Sequence, residues 1–124
     1  ADKSGVQPLA IEVLLAHADA GEALDPRLDA RTATLGNAGL RLRWLEHAMG
    51  AALAAKHRED ATALYREAMA WLRAGDYARA EALHRLGARA AATPADATAA
   101  NARADAARAA FLAAMPPALR TATQ

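Results

Sequence analysis

The chain has 124 residues with 15 Lys and Arg against 14 Asp and Glu, so its net charge is +1 and bulk charge gives it no general hold on nucleic acid. Cysteine is absent, which excludes disulfides, thiolate metal sites, iron–sulfur clusters and covalently attached haem. Of the 54% hydrophobic residues most are alanine, and this length fills one core, so its helices must lie close on small side chains or gain burial by self-association.

Taken from the N-terminus, the sequence is punctuated by its few glycines and prolines. Pro8 suits the first turn of a helix from about Gln7 to Ala20, and Gly21 suits its C-terminal cap. The segment LAIEVLLAHADA is apolar on most sides, which predicts a helix that is central or covered by a partner. Asp25 followed by Pro26 is an N-cap and N1 pair, with Asp29 adding charge in the first turn. From there Leu28, Leu35, Leu42 and Met49 recur every seven residues, with Ala38, Leu45 and Ala52 between them. That spacing predicts a seam on one helix running to at least Ala55. Gly36, Gly39 and Gly50 each weaken such a helix by about 1 kcal/mol relative to Ala, and their expected use is to let another backbone approach closely.

An unbroken helix from Pro26 to Ala74 would be about 73 Å long, too long for one small domain, so a turn is expected within 57–60 of the charged run KHRED. Asp60 is the expected N-cap of the helix that follows. Gly75-Asp76 then separates that helix from the next, Tyr77 to about Ala91. Thr93-Pro94 repeats the cap signal for a last helix, Ala95 to about Met115, ended by Pro116-Pro117. On it, Ala97, Ala100, Ala104, Ala107 and Phe111 share a narrow face. No strand-like alternation occurs, and the expected fold is an all-α antiparallel bundle of four or five helices over residues 1–117, followed by a frayed tail, 118–124.

Residues 61–94 resemble a single tetratricopeptide repeat. Ala68 and Trp71 fall at the small and aromatic positions of its first helix, Gly75-Asp76-Tyr77 at the turn, and Ala80 at the small contact of its second. Leu64, Glu67 and His84 depart from the family's residues, which are Trp, Leu and an aromatic at those places. The resemblance implies a helical hairpin and covers about a quarter of the chain. No second copy is visible, and a peptide-binding concave surface in that family needs several stacked units.

Metal chemistry is the competing reading of the same stretch, WLRAGDYARAEALHRLG. Glu81 and His84 stand at i and i+3, half of a di-iron ligand pattern, but a second Glu-x-x-His is missing and Glu81 has Arg85 as an i+4 partner. Convergence of His17, His47, His57 and His84, with Met49, Met69 or Met115 as soft ligands, would build a metal, haem or small-molecule sensor. His17 lies near a helix end, where a positive charge suits the dipole, and His57 shares a register with Leu53, Leu64, Ala68 and Trp71 that turns it inward. Scattered structural histidines are the plainer expectation, and no cofactor is assigned. Ser4 is the only serine, and no Gly-rich phosphate loop or His-Glu-x-x-His is present, so nothing marks a catalytic centre.

The expected function is therefore protein–protein interaction with self-association, through a surface made by Gly36, Gly39, Leu42, Trp44 and Trp71. Arg41 and Arg43 beside Trp44, or Arg79, Arg85 and Arg89, offer an anionic partner a place, although with near-neutral net charge solvated faces are the plainer expectation. No apolar run approaches the ~20 residues that cross a bilayer. The start ADKSG fits a mature chain cut at a small-residue site, as in an exported or periplasmic bacterial protein, as well as a trimmed start of any other origin.

Overall fold

The computed structural model describes residues 7–116, which form six helices. They are α1 (Gln7–Asp19), α2 (Leu28–Leu35), α3 (Ala38–Ala54), α4 (Arg58–Trp71), α5 (Tyr77–Ala90) and α6 (Pro94–Ala114). The class is all-α as expected, but the count exceeds four or five because the long second helix is two. The expected tail, 118–124, lies outside the described residues.

The break comes at Gly36-Asn37. Gly36 sits at φ 72°, the left-handed conformation that ends α2, and Asn37 is extended and accepts the Leu40 N–H on its side chain at 3.1 Å, capping α3. Gly36 is thus a helix stop rather than a helical residue opened for a partner. Gly39 and Gly50 also lack the expected close backbone neighbour: a Cβ on Gly39 would meet only Asn37 Oδ1 at 3.4 Å, and one on Gly50 would meet nothing within 4 Å. The close approach occurs at Gly87 of α5, where a Cβ would lie 2.7 Å from the Tyr65 ring.

The turn expected at 57–60 falls slightly earlier. Lys56 N–H bonds to Leu53 O at 3.0 Å and His57 N–H to Ala52 O at 2.8 Å, the paired bonds of a Schellman cap, with Lys56 itself at φ 63°. Asp60 is consequently inside the first turn of α4 and not its cap. The Gly75 stop is also displaced: α4 ends at Trp71, Leu72 turns extended, and Gly75 at φ 98° serves the loop into α5. At Thr93-Pro94 the expectation is met, since Thr93 Oγ1 accepts the Asp96 N–H at 3.1 Å and Pro94 opens α6.

α3 is the centre, packed against α1, α2, α4 and α5, while α6 packs on α5. The heptad residues Leu28, Leu42, Leu45 and Met49 are all buried, together with Ile11, Leu15 and Leu83. Their periodicity survives the break because α2 and α3 fold against each other. α1 buries one side only, Ile11, Leu15 and Ala18, and leaves Val13 half exposed, so it lies at the edge of the assembly. α6 uses Ala100 and Ala104 as its buried face, the small-residue contact that its sequence spacing predicts.

The deepest polar feature joins three helices. Arg41 on α3 is 4% exposed, and its Nε and one terminal nitrogen donate to the two carboxylate oxygens of Glu67 on α4 at 2.6 and 2.8 Å. The other terminal nitrogen donates to the Asp29 carbonyl at 2.8 Å, to Asp29 Oδ1 at 2.9 Å and to Thr32 Oγ1 at 3.1 Å, all on α2. Its Cζ lies 4.4 Å from the Trp44 ring centroid, and Trp71 Nε1 donates to Glu67 at 3.0 Å. Burial works against the guanidinium charge, and the bonds to Glu67 and Asp29 outweigh it, raising the Arg41 pKa. Arg41 is thus an internal clamp, not an exposed cation for an anionic partner.

The left-handed backbone at Lys56 supplies a test of the α3–α4 turn. Glycine adopts φ 63° without the side-chain clash that penalises lysine by about 1–2 kcal/mol, so Lys56→Gly is expected to raise the urea midpoint with an unchanged m-value, worth about 1 kcal/mol. An unchanged or lowered midpoint contradicts this conformation.

Candidate functional site

One concavity among the described residues lies beside the turn that leads into α5. A groove of about 550 Å³ is lined by Gly39, Leu42 and Glu46 of α3, by Tyr77, Ala78, Arg79 and Ala82 of α5 with the preceding Gly75 and Asp76, and by Phe111 of α6. A second cleft of about 530 Å³ continues it past Gly39 and Asp76 between the Leu35–Ala38 stretch and Arg73. Small residues on α3 and α5 make the floor: Gly39, Ala78 and Ala82 leave room that larger side chains would fill. At the rim Phe111 is 37% exposed, one of two large hydrophobic side chains so placed among the described residues.

The walls carry opposite charges. Arg79 donates to Glu46 at 2.6 Å, joining α5 to α3 along the groove. Asp76 and Arg73 stand exposed at the other end. A paired Glu and Arg, the two aromatics Tyr77 and Phe111, and small glycine and alanine positions give a surface able to receive side chains.

The expected contact residues divide. Gly36 and Gly39 are exposed and line the groove. Leu42 closes its floor while being only 1% exposed, so it belongs chiefly to the protein's own core. Trp44 is buried beneath Arg41, and Trp71 is half-buried with its N–H turned to Glu67, so neither is available as a surface anchor. Their aromatic bulk is taken by the clamp. Phe111, Glu46 and Arg79 complete the groove without a local sequence signal, because the residues that build it span positions 35 to 111.

The four histidines go to separate places. His17 bonds to Glu22 in the α1–α2 connection. His47 Nε2 lies 2.5 Å from Asp19, which also takes Arg43 at 2.6 Å, so this trio fastens the end of α1 to α3. The hydrogen bonds from His47 and Arg43 hold the Asp19 carboxyl below its ordinary pKa. His57 is exposed, 3.8 Å from Asp60, and does not turn inward at the bend as its register predicts, because the Schellman cap carries it out of the helix. His84 is buried. No three metal-binding side chains of the His, Cys, Asp or Glu type gather among the described residues. Met49 and Met69 lie in the core. Glu81 serves Arg85 at 3.4 Å, as its i+4 spacing predicts, and Arg85 also reaches Asp105 at 2.7 Å, tying α5 to α6.

His84 completes a second internal contact. Its Nδ1 lies 2.7 Å from the Tyr65 hydroxyl, and the rings meet edge to face at 5.7 Å. Arg103 of α6 donates to that hydroxyl at 3.5 Å, which leaves the phenolic proton for His84. Burial, and secondarily the Arg103 charge, lowers the His84 pKa and keeps the ring neutral. Tyr65 reaches this position because Gly87 lacks a side chain.

Comparison with protein-family models, with curated proteins and with solved structures finds no match to this chain.

Since His84 is harder to protonate folded than unfolded, its contribution to stability is complete above the unfolded value of about 6.5 and declines as pH falls from there through its own lower pKa. Chemical denaturation across pH 7.5 to 4.5 is expected to show a loss between these values that His84→Gln removes from the difference curve. Parallel curves for the two proteins contradict the assignment.

Proposed function

We propose that this chain is a non-catalytic protein–protein interaction module, arranged as an antiparallel helical bundle that associates with a second copy of itself through the groove between α3, α5 and α6. The observation that carries this reading is the juxtaposition of an exposed Phe111 with a floor of Gly39, Ala78 and Ala82. An interface related by a two-fold axis brings the same patch together with itself, so it needs a projection and a recess in one patch. Both are present. Opposite charges also share the patch, Arg73 and Arg79 with Glu46 and Asp76, which lets its rim complement itself across such an axis.

The heptad seam adds no surface to this interface, since Leu28, Leu42, Leu45 and Met49 are buried in the internal core. The likeness of 61–94 to a tetratricopeptide hairpin agrees with α4 and α5 packing as neighbours, and it adds no binding surface by itself. The histidine-sensor alternative finds no shared location for its ligands.

Sedimentation equilibrium should give a mass that rises above the 12.9 kDa monomer with concentration. Phe111→Asp should shift the dissociation constant by at least ~10-fold, as expected for removing an aromatic anchor worth ~2 kcal/mol, without changing the helical circular dichroism. A chain that stays monomeric at millimolar concentration, or that associates equally well as Phe111→Asp, defeats the proposal.

A further inference from the structure

The opposite end of the helices carries a different surface. There the α3–α4 turn and the end of α5 surround an open cleft of about 560 Å³ lined by Leu53, Lys56, Arg58 and Arg89. Thr62 explains why these residues meet: its hydroxyl contacts the Arg58 carbonyl at 3.0 Å and the Ala90 carbonyl at 3.3 Å, bringing the start of α4 beside the end of α5. All three cations are exposed.

They are also uncompensated. Arg27, Arg41, Arg43, Arg79, Arg85 and Arg108 each have a carboxylate within 4.0 Å, whereas Lys56, Arg58 and Arg89 have none among the described residues. Glu59 and Asp60 follow Arg58 in the first turn of α4, but they line the neighbouring surface with Lys56, His57 and Arg58, and not this cleft. A chain of net charge +1 therefore concentrates three unpaired positive charges around one concavity.

Lys56 adds an independent reason. It is the one non-glycine residue among those described with positive φ, at 63°, in a position where glycine caps helices at no steric penalty. A lysine in that position lines the cleft and has no carboxylate within 4.0 Å among the described residues, a strained placement that points to a role for its side chain. Two guanidiniums and an ammonium from two chain segments match a compact, multiply charged oxyanion: the planar forks bond two oxygens at once and the ammonium adds a point charge.

We infer that Lys56, Arg58 and Arg89 form a binding site for the phosphoryl group of a small ligand, distinct from the groove at the other end of the helices. Leu53 supplies an apolar patch for the rest of such a ligand. The site is open to solvent, so its affinity falls with ionic strength.

Titration of the full 15N-labelled chain with pyrophosphate in low-salt buffer, followed by amide shifts, tests this. Saturable shifts centred on Lys56, Arg58 and Arg89 are expected, and Arg89→Gln should raise the dissociation constant by at least ~10-fold, the scale of one charge-assisted contact. Lys56→Gly is the sharper variant, since the turn it leaves is unstrained: the folded chain should bind at least ~10-fold more weakly. The inference is overturned by non-saturating shifts, by shifts spread equally over Arg31, Arg66 and Arg73, or by unaltered binding in folded Lys56→Gly. It is also overturned if a glutamate-rich peptide shifts these amides and pyrophosphate does not, which assigns the cleft to an acidic protein partner.

Discussion

A buried guanidinium organises this protein. Placing Arg41 at 4% exposure is unfavourable unless its donors are met, and the groups that meet them come from two other helices: Glu67 of α4, and Thr32 with the side chain and carbonyl of Asp29 on α2. Such bonds tolerate little displacement. They fix α2, α3 and α4 in relative position more narrowly than contacts between leucines and alanines do, and both tryptophans are drawn into the same cluster.

The groove follows from that placement. With α2 and α4 held on either side of Arg41, the Gly36-Asn37 turn and the Arg73–Asp76 turn come to one end of α3, where they form adjoining walls. α5 and α6 then dock through small residues: Gly87 admits the Tyr65 ring, and Ala100 and Ala104 form the buried side of α6. Arg85 and Asp105 fix the α5–α6 pair, so that Phe111 is delivered to the groove's rim. The other end of α3 is governed by the Schellman turn, which presents Lys56 beside Arg58 and Arg89.

Local rules were legible where they acted alone. Thr93-Pro94, Gly21 and the absence of strand periodicity each pointed to what is found, and Gly36-Asn37 contained a stop and a cap that the heptad spacing of Leu28 to Met49 concealed. That spacing marks burial on both sides of a turn as readily as along one rod. Glu67 and His84, which depart from the tetratricopeptide pattern, are the residues that partner Arg41 and Tyr65. Nothing in Arg41's own neighbourhood separates a clamp from a solvated arginine, because its acceptors lie 9, 12 and 26 residues away. For the same reason Trp44 and Trp71 read as surface anchors when they are internal, and the groove's assembly from distant segments left Phe111 looking like one more packing residue.

A double-mutant cycle on Arg41→Met and Glu67→Met, measured by urea unfolding, addresses the clamp directly. Each single change leaves a charge without its main partner and is expected to destabilise by about 3 kcal/mol, while the double variant should be more stable than the sum of the two losses by at least ~2 kcal/mol. Losses that add to within ~0.5 kcal/mol would mean that the two side chains do not support each other, and the account of how these helices are positioned would be wrong.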